Sequence, residues 1–128
     1  SEFDNYRKRT SKERIELFKT AGQDIMTDLV PVLDDFERAL QNMDKNGDIK
    51  TIRKGVDLVY NKFKSSLESK GLKAFKSIEQ TFDPEIHEAI TKIPAPTKKL
   101  VGKVVDEIEK GYKLNDKVIR YAKVVVGQ

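Results

Sequence analysis

The chain contains no cysteine, only one histidine, and no apolar run long enough to cross a bilayer. Without cysteine there is no disulfide, no thiolate chemistry and no cysteine-based metal site, and its absence fits a reducing compartment. A metal site needs several converging ligands, and around His87 the nearest helpers are the carboxylates Asp83, Glu85 and Glu88. A structural or surface role for His87 is therefore expected. The seven glycines are scattered and form no phosphate-cradling loop, and no serine sits in a nucleophile-elbow pattern. Asp34, Asp35 and Glu37 cluster, but Arg38 adjoins them, and the pattern is that of a solvated helix face rather than a split acid/base pair. No signal peptide is visible. The expectation is a soluble cytoplasmic protein that is not an enzyme, with no catalytic residue, no metal, no cofactor and no membrane association.

Charge is what the sequence has in abundance. Of 128 residues, 36% are charged and 38% hydrophobic, where a typical globular domain is about a quarter charged. So little apolar material suits an elongated or oligomeric protein, in which dimerisation supplies burial that one copy lacks. The net charge is +4, with acids and bases interleaved along the chain. The densest basic run is Arg7-Lys8-Arg9, followed by Lys12 and Arg14 and interrupted by Asp4, Glu13 and Glu16. Its residues alone leave three readings open: a solvated coiled-coil flank, a docking face for an acidic protein, or a basic coiled-coil dimer that binds nucleic acid.

Residues 1 to about 70 read as helical. Phe18, Ala21, Ile25, Leu29, Val32, Phe36, Leu40 and Met43 recur at three- and four-residue steps, one stripe of a helix. Upstream the stripe thins to Phe3, Tyr6 and Ile15, too polar to be stable without a partner. Pro31 predicts a kink or break near Asp28 to Val30, with a second helix running from Pro31 to Met43. The cluster Asp44-Lys45-Asn46-Gly47-Asp48 is a turn, and Ile49, Ile52, Val56, Val59, Phe63 and Leu67 restart the helical spacing. Gly71 stands where a helix-terminating glycine belongs. Residues 31 to 70 thus read as a hairpin of two helices with one apolar stripe each, and a second copy would complete a four-helix bundle.

The pattern then changes. Val101, Val104, Val105 and Ile108, a turn at Leu114-Asn115-Asp116-Lys117, and the β-branched stretch Val118 to Val126 read as short strands. Asp83-Pro84 and Pro94-Ala95-Pro96 mark non-helical connections. The fold class is α+β: a long N-terminal helix, a helical hairpin that forms a four-helix bundle in the dimer, and a small C-terminal β-domain. The boundaries fall at 1–70 for the helical region and 71–128 for the β module.

Five segments, in order and covering nearly the whole chain, resemble the GrpE family. Glu2 to Arg9 is similar to its E-x-x-N-x-x-x-R segment, and Leu29 to Leu40 to L-x-P-V-x-D-x-x-x-R-A-L. Gly55-Val56 is similar to a helix opening of the family. Phe82 to Ala89 carries D-P-x-x-H-x-A, and Gly111 to Leu114 with Val118 to Val124 resembles the G-Y-x-L…I-R-x-A-x-V ending.

The resemblance implies a nucleotide exchange factor. In such a homodimer a long helix pairs with its twin, a four-helix bundle joins the subunits, and a β wing grips the nucleotide-binding domain of a DnaK-type chaperone in protein folding and the heat-stress response. It implies no nucleotide, metal or nucleic acid of the protein's own. Position by position, it assigns partner contacts to Arg7 and Lys8 on the long helix, Gly55 at a helix start, and Ile108 and Val126 in the wing. It assigns the dimer interface to Ile25, Leu29, Leu33, Phe36, Leu40, Ile52, Val56, Val59 and Phe63, and scaffold roles to Asp83, Pro84, His87, Gly111, Tyr112 and Arg120. For Ile108 and Val126, strand alternation leaves burial in the wing's own core equally open. Lys8 stands where arginine is common, which weakens any bidentate contact there. Family members usually carry more helix ahead of this start, linked to temperature sensing and substrate release, and those roles are not expected of this chain.

Overall fold

A computed structural model of the chain describes residues 1–45 and 47–128. It divides into two units, Ser1–Ser66 and Leu67–Gln128.

The first unit is built from α1 (Glu2–Lys45) and most of α2 (Ile49–Ser69). The expected break at Pro31 does not occur: α1 is one helix of 44 residues with Pro31 inside it. Proline removes a single bond, the one residue 31 would have donated to the carbonyl of Thr27, at a cost of ~3 kcal/mol. Helical bonding resumes on both sides, and the next residue, Val32, is held at 3% exposure. The hairpin survives this correction. Its arms are the C-terminal part of α1 and the antiparallel α2, and among the described residues Val32 and Val59 are the buried apolar residues of this unit, one on each arm. Asp35 fixes the register by accepting Lys62 Nζ at 2.9 Å from the opposite arm and the Arg38 guanidinium from its own. Asn46, part of the expected turn, lies outside the described residues. Asp48 caps α2: its Oδ1 accepts from Lys50 N–H at 3.3 Å and its Oδ2 from Thr51 Oγ1 at 3.2 Å.

α2 ends at Ser69, and Gly71 just beyond it has a φ of +102°, easy only for glycine. The second unit holds two three-stranded sheets. One has the order β1 (Leu72–Ala74), β4 (Tyr112–Leu114), β5 (Lys117–Arg120), all antiparallel. The other places β6 (Ala122–Gly127) between β2 (His87–Ile93), which runs parallel to it, and β3 (Val104–Glu109), which is antiparallel. The core gathers on β6: Val104, Ala122, Val124 and Val126, with Phe75 and Phe82 packed against them.

The register along β6 is not regular. On β3, Val104 pairs with Val126 but Asp106 with Val125, and Glu107 with Val124 but Glu109 with Lys123. Val105 and Ile108 are therefore extra residues. On β2 the pairing skips Ile90 in the same way. Such bulges turn side chains of β2 and β3 out of strict alternation. β6, the central strand between them, buries Val124, Val125 and Val126 in succession.

Candidate functional site

Arg7 and Lys8 lie in the second turn of α1 and are exposed. The Arg7 guanidinium sits 5.7 Å from the centre of the Phe3 ring, and Arg9 sits 5.8 Å from that of Tyr6. These cation–π contacts hold the arginines along the helix surface, where the rings are themselves exposed. Lys8 shares one face of the helix with Lys12, Ile15 and Lys19.

Gly55 is on α2 and lines a cleft between the two arms together with Ala39, Met43, Thr51, Ile52 and Leu58. A Cβ built on Gly55 would meet nothing within 4 Å. The fold itself therefore does not need glycine here, so the small residue is free to serve a close approach from outside. Ala39, which faces this cleft, is about 46 Å along α1 from Lys8 at 1.5 Å per residue. Arg7 and Lys8 on one hand and Gly55 on the other thus form two separate patches of the helical unit.

In the β unit the two wing residues have different fates. Ile108 is the bulge residue of β3 and stands 57% exposed between Glu107 and Glu109. Val126 is 5% exposed, in the core cluster. Only Ile108 has its side chain open to solvent, while Val126 belongs to the core.

Around these residues the β unit is tightly fixed. Arg120 donates from Nε to the Lys110 carbonyl at 3.0 Å, lies 5.1 Å from the centre of the Tyr112 ring, and approaches Glu109 at 3.7 Å. A Cβ on Gly111 would fall 2.1 Å from Phe75 Cζ and 2.8 Å from the Ala122 nitrogen. His87 is buried between Phe75 and Phe82, with its Nδ1 accepting from the Asp83 N–H at 3.0 Å. Burial pushes the imidazole below its ordinary pKa, partly opposed by Asp83 and Glu107.

Most residues expected at the dimer interface form an exposed apolar face of the hairpin. Ile25, Leu33, Phe36 and Leu40 on α1 and Val56 and Phe63 on α2 are exposed, and Leu29 and Ile52 are half-buried. Val59 instead is buried within this copy. Among the described residues, no group of three or more His, Asp or Glu comes together to hold a metal ion, and no helix is long and apolar enough to cross a membrane.

The family model described as GrpE matches residues 1–128. The chain belongs to the GrpE family. Similar relatives, each called Protein GrpE, come from Bacteroides thetaiotaomicron (48% identical), Parabacteroides distasonis (50%) and Geobacillus stearothermophilus (38%). Each match runs over 128 residues, all of this chain. The chain spans 66% of the length of the first two relatives and 58% of the third. What sequence reasoning missed in this GrpE-family chain is the bulge that separates Ile108 from Val126, since a register shift leaves no mark on a single strand's sequence.

Proposed function

We propose that this chain is the nucleotide-exchange part of a GrpE-type co-chaperone. It binds the nucleotide-binding domain of a DnaK-type chaperone, opens its cleft and accelerates ADP release, and so serves protein folding and the heat-stress response in the cytoplasm. The observation that carries this reading is the match to the GrpE family over all 128 residues. The protein works as a homodimer. The exposed stripe of Leu33, Phe36, Leu40, Val56 and Phe63 is the face that a second hairpin covers, giving a four-helix bundle from residues 1–70. Residues 71–128 form the gripping wing.

The mechanism is linkage, with no bond made or broken. A wing that binds the opened chaperone better than the closed one shifts that equilibrium towards open. By reciprocity, ADP and the exchange factor weaken each other's binding. Each tenfold gain in release rate requires about 1.4 kcal/mol of preference for the route to release. Burial of the exposed part of Ile108 supplies about 1–2 kcal/mol. Arg7 and Lys8 add charged contacts from the long helix, and Gly55 admits a close backbone approach near the hairpin tip. Neither nucleotide nor metal is required on this side.

Release of fluorescent ADP from a DnaK-type chaperone, with and without this protein, tests the reading. Acceleration is expected. Gly55→Asp is expected to lower it while the dimer stays intact by size-exclusion chromatography, because a Cβ at this position meets no neighbouring atom within 4 Å. No acceleration by the parent chain would overturn the assignment, and undiminished release with Gly55→Asp would remove that residue from the contact.

A further inference from the structure

We infer that His87 is an acid-sensitive latch of the β unit: adding a proton to its ring unfastens the turn Asp83–His87 and with it the start of the β2–β6 pairing.

The geometry admits only a neutral imidazole. Nδ1 is an acceptor, taking the Asp83 N–H at 3.0 Å. In the imidazolium both ring nitrogens are donors, so protonation sets one N–H against another. Nε2, which carries the proton of the neutral ring, is buried with no hydrogen-bond partner, and the ring is only 3% exposed. No solvent shell or acceptor is in place for a charged ring stacked on Phe82 at 5.8 Å.

The turn it closes is structural. Asp83 O accepts from His87 N–H at 2.8 Å and from Ile86 N–H at 3.1 Å, and Asp83 Oδ1 accepts from Glu85 N–H at 2.9 Å. Ile86 O then takes the Ala122 N–H at 3.0 Å, and His87 is the first residue of β2, paired with Ala122 of β6. Loss of the turn is therefore felt at the central strand.

Two charged groups act on the ring: Asp83, in its own turn, and Glu107, on β3, both favour the cation. Lys76 lines the same cleft as His87. Desolvation is the strongest influence and depresses the folded-state pKa below the ordinary 6.5. The sign follows. Above 6.5 the ring is neutral folded or unfolded, and pH has no effect through this group. Below it the unfolded chain takes up a proton that the folded unit refuses, and the unfolded fraction rises by up to about tenfold per pH unit until the depressed value is reached. The helical unit contains no histidine, so the effect is confined to the β unit.

The chain has one histidine, so its imidazole Hε1 proton can be followed by NMR in the parent protein between pH 7.5 and 5.5 without ambiguity. The ring should titrate below 6.5. Over the same range the exchange protection of the Asp83 amide, corrected for intrinsic rates, should fall by up to about tenfold per pH unit, with helical amides unchanged. His87→Asn keeps an acceptor near the Nδ1 position and does not titrate, so it should abolish the fall in the β unit's melting midpoint between pH 7.5 and 5.5. A ring that titrates at or above 6.5, Asp83 protection that ignores pH, or an equal fall in His87→Asn would overturn the inference. Should His87→Asn fail to fold, the titration and exchange data on the parent chain decide alone.

Discussion

The two units bury their apolar residues to opposite degrees. The β unit, with 62 residues from Leu67 to Gln128, closes Val104, Ala122, Val124, Val125 and Val126 away from solvent. The helical unit is slightly longer and, among the described residues, buries only Val32 and Val59. Most of its other large apolar side chains, among them Phe18, Phe36, Leu40 and Phe63, lie exposed. A stripe left open to water forgoes about 25 cal/mol per Å² of apolar surface. One region thus closes its core within a single copy, and the other leaves its apolar stripes open, as the proposed pairing with a second copy requires. Under the proposed function this division is useful: a module with a closed core presents Ile108, while the module with open stripes is the one that would pair.

That contrast can be broken from either side. The largest effect is expected from Val124→Asp, which places an unpaired charge in the core of β6 and should cost about 3–5 kcal/mol. Loss of strand signal in circular dichroism, with the helical signal and dimer mass retained, would show that the units are stabilised independently. Next comes the double change Leu33→Asp, Leu40→Asp. Losing the burial of two leucines per copy should raise the dimer Kd by on the order of 100-fold or more. Sedimentation equilibrium reads this directly, and the melting of the β unit should not move. Gly111→Ala is smaller: a methyl group forced against Phe75 and the Ala122 nitrogen should destabilise the β unit by about 1–3 kcal/mol, measured by denaturant titration.

The smallest effect belongs to Asp35→Asn. The Arg38 hydrogen bond, then Lys62, holds the Asp35 carboxyl below its ordinary pKa. Its contribution is therefore present above the unfolded carboxyl's value and lost as pH falls through the lower folded value. The variant should melt slightly earlier at pH 7 and lack that part of the acid sensitivity.

The helical half was legible because a period of 3.6 shows in a single strand of sequence. Ile25, Leu29, Phe36 and Leu40 declared the stripe, and Ile52 to Phe63 the returning arm. Pro31 misled, because a local rule about one missing N–H cannot weigh the turns that continue on both sides. The β half was legible only where β-branched residues cluster, as on β6. β2 escaped as an individual strand: past His87 its residues are exposed, so Glu88-Ala89-Ile90-Thr91-Lys92 shows no apolar alternation. The opposite fates of Ile108 and Val126 depend on bulges at Val105, Ile108 and Ile90, which are properties of pairing between strands. The family pattern marked both residues, but only the register tells which of them faces outward.

The central claim is that this chain prefers one shape of a DnaK-type chaperone over another. Its affinity for that chaperone, measured by isothermal titration with no nucleotide and again with saturating ADP, tests the claim most directly. The account predicts tighter binding to the nucleotide-free chaperone, by the same factor through which the chain weakens ADP binding. Equal affinity in the two states would contradict it.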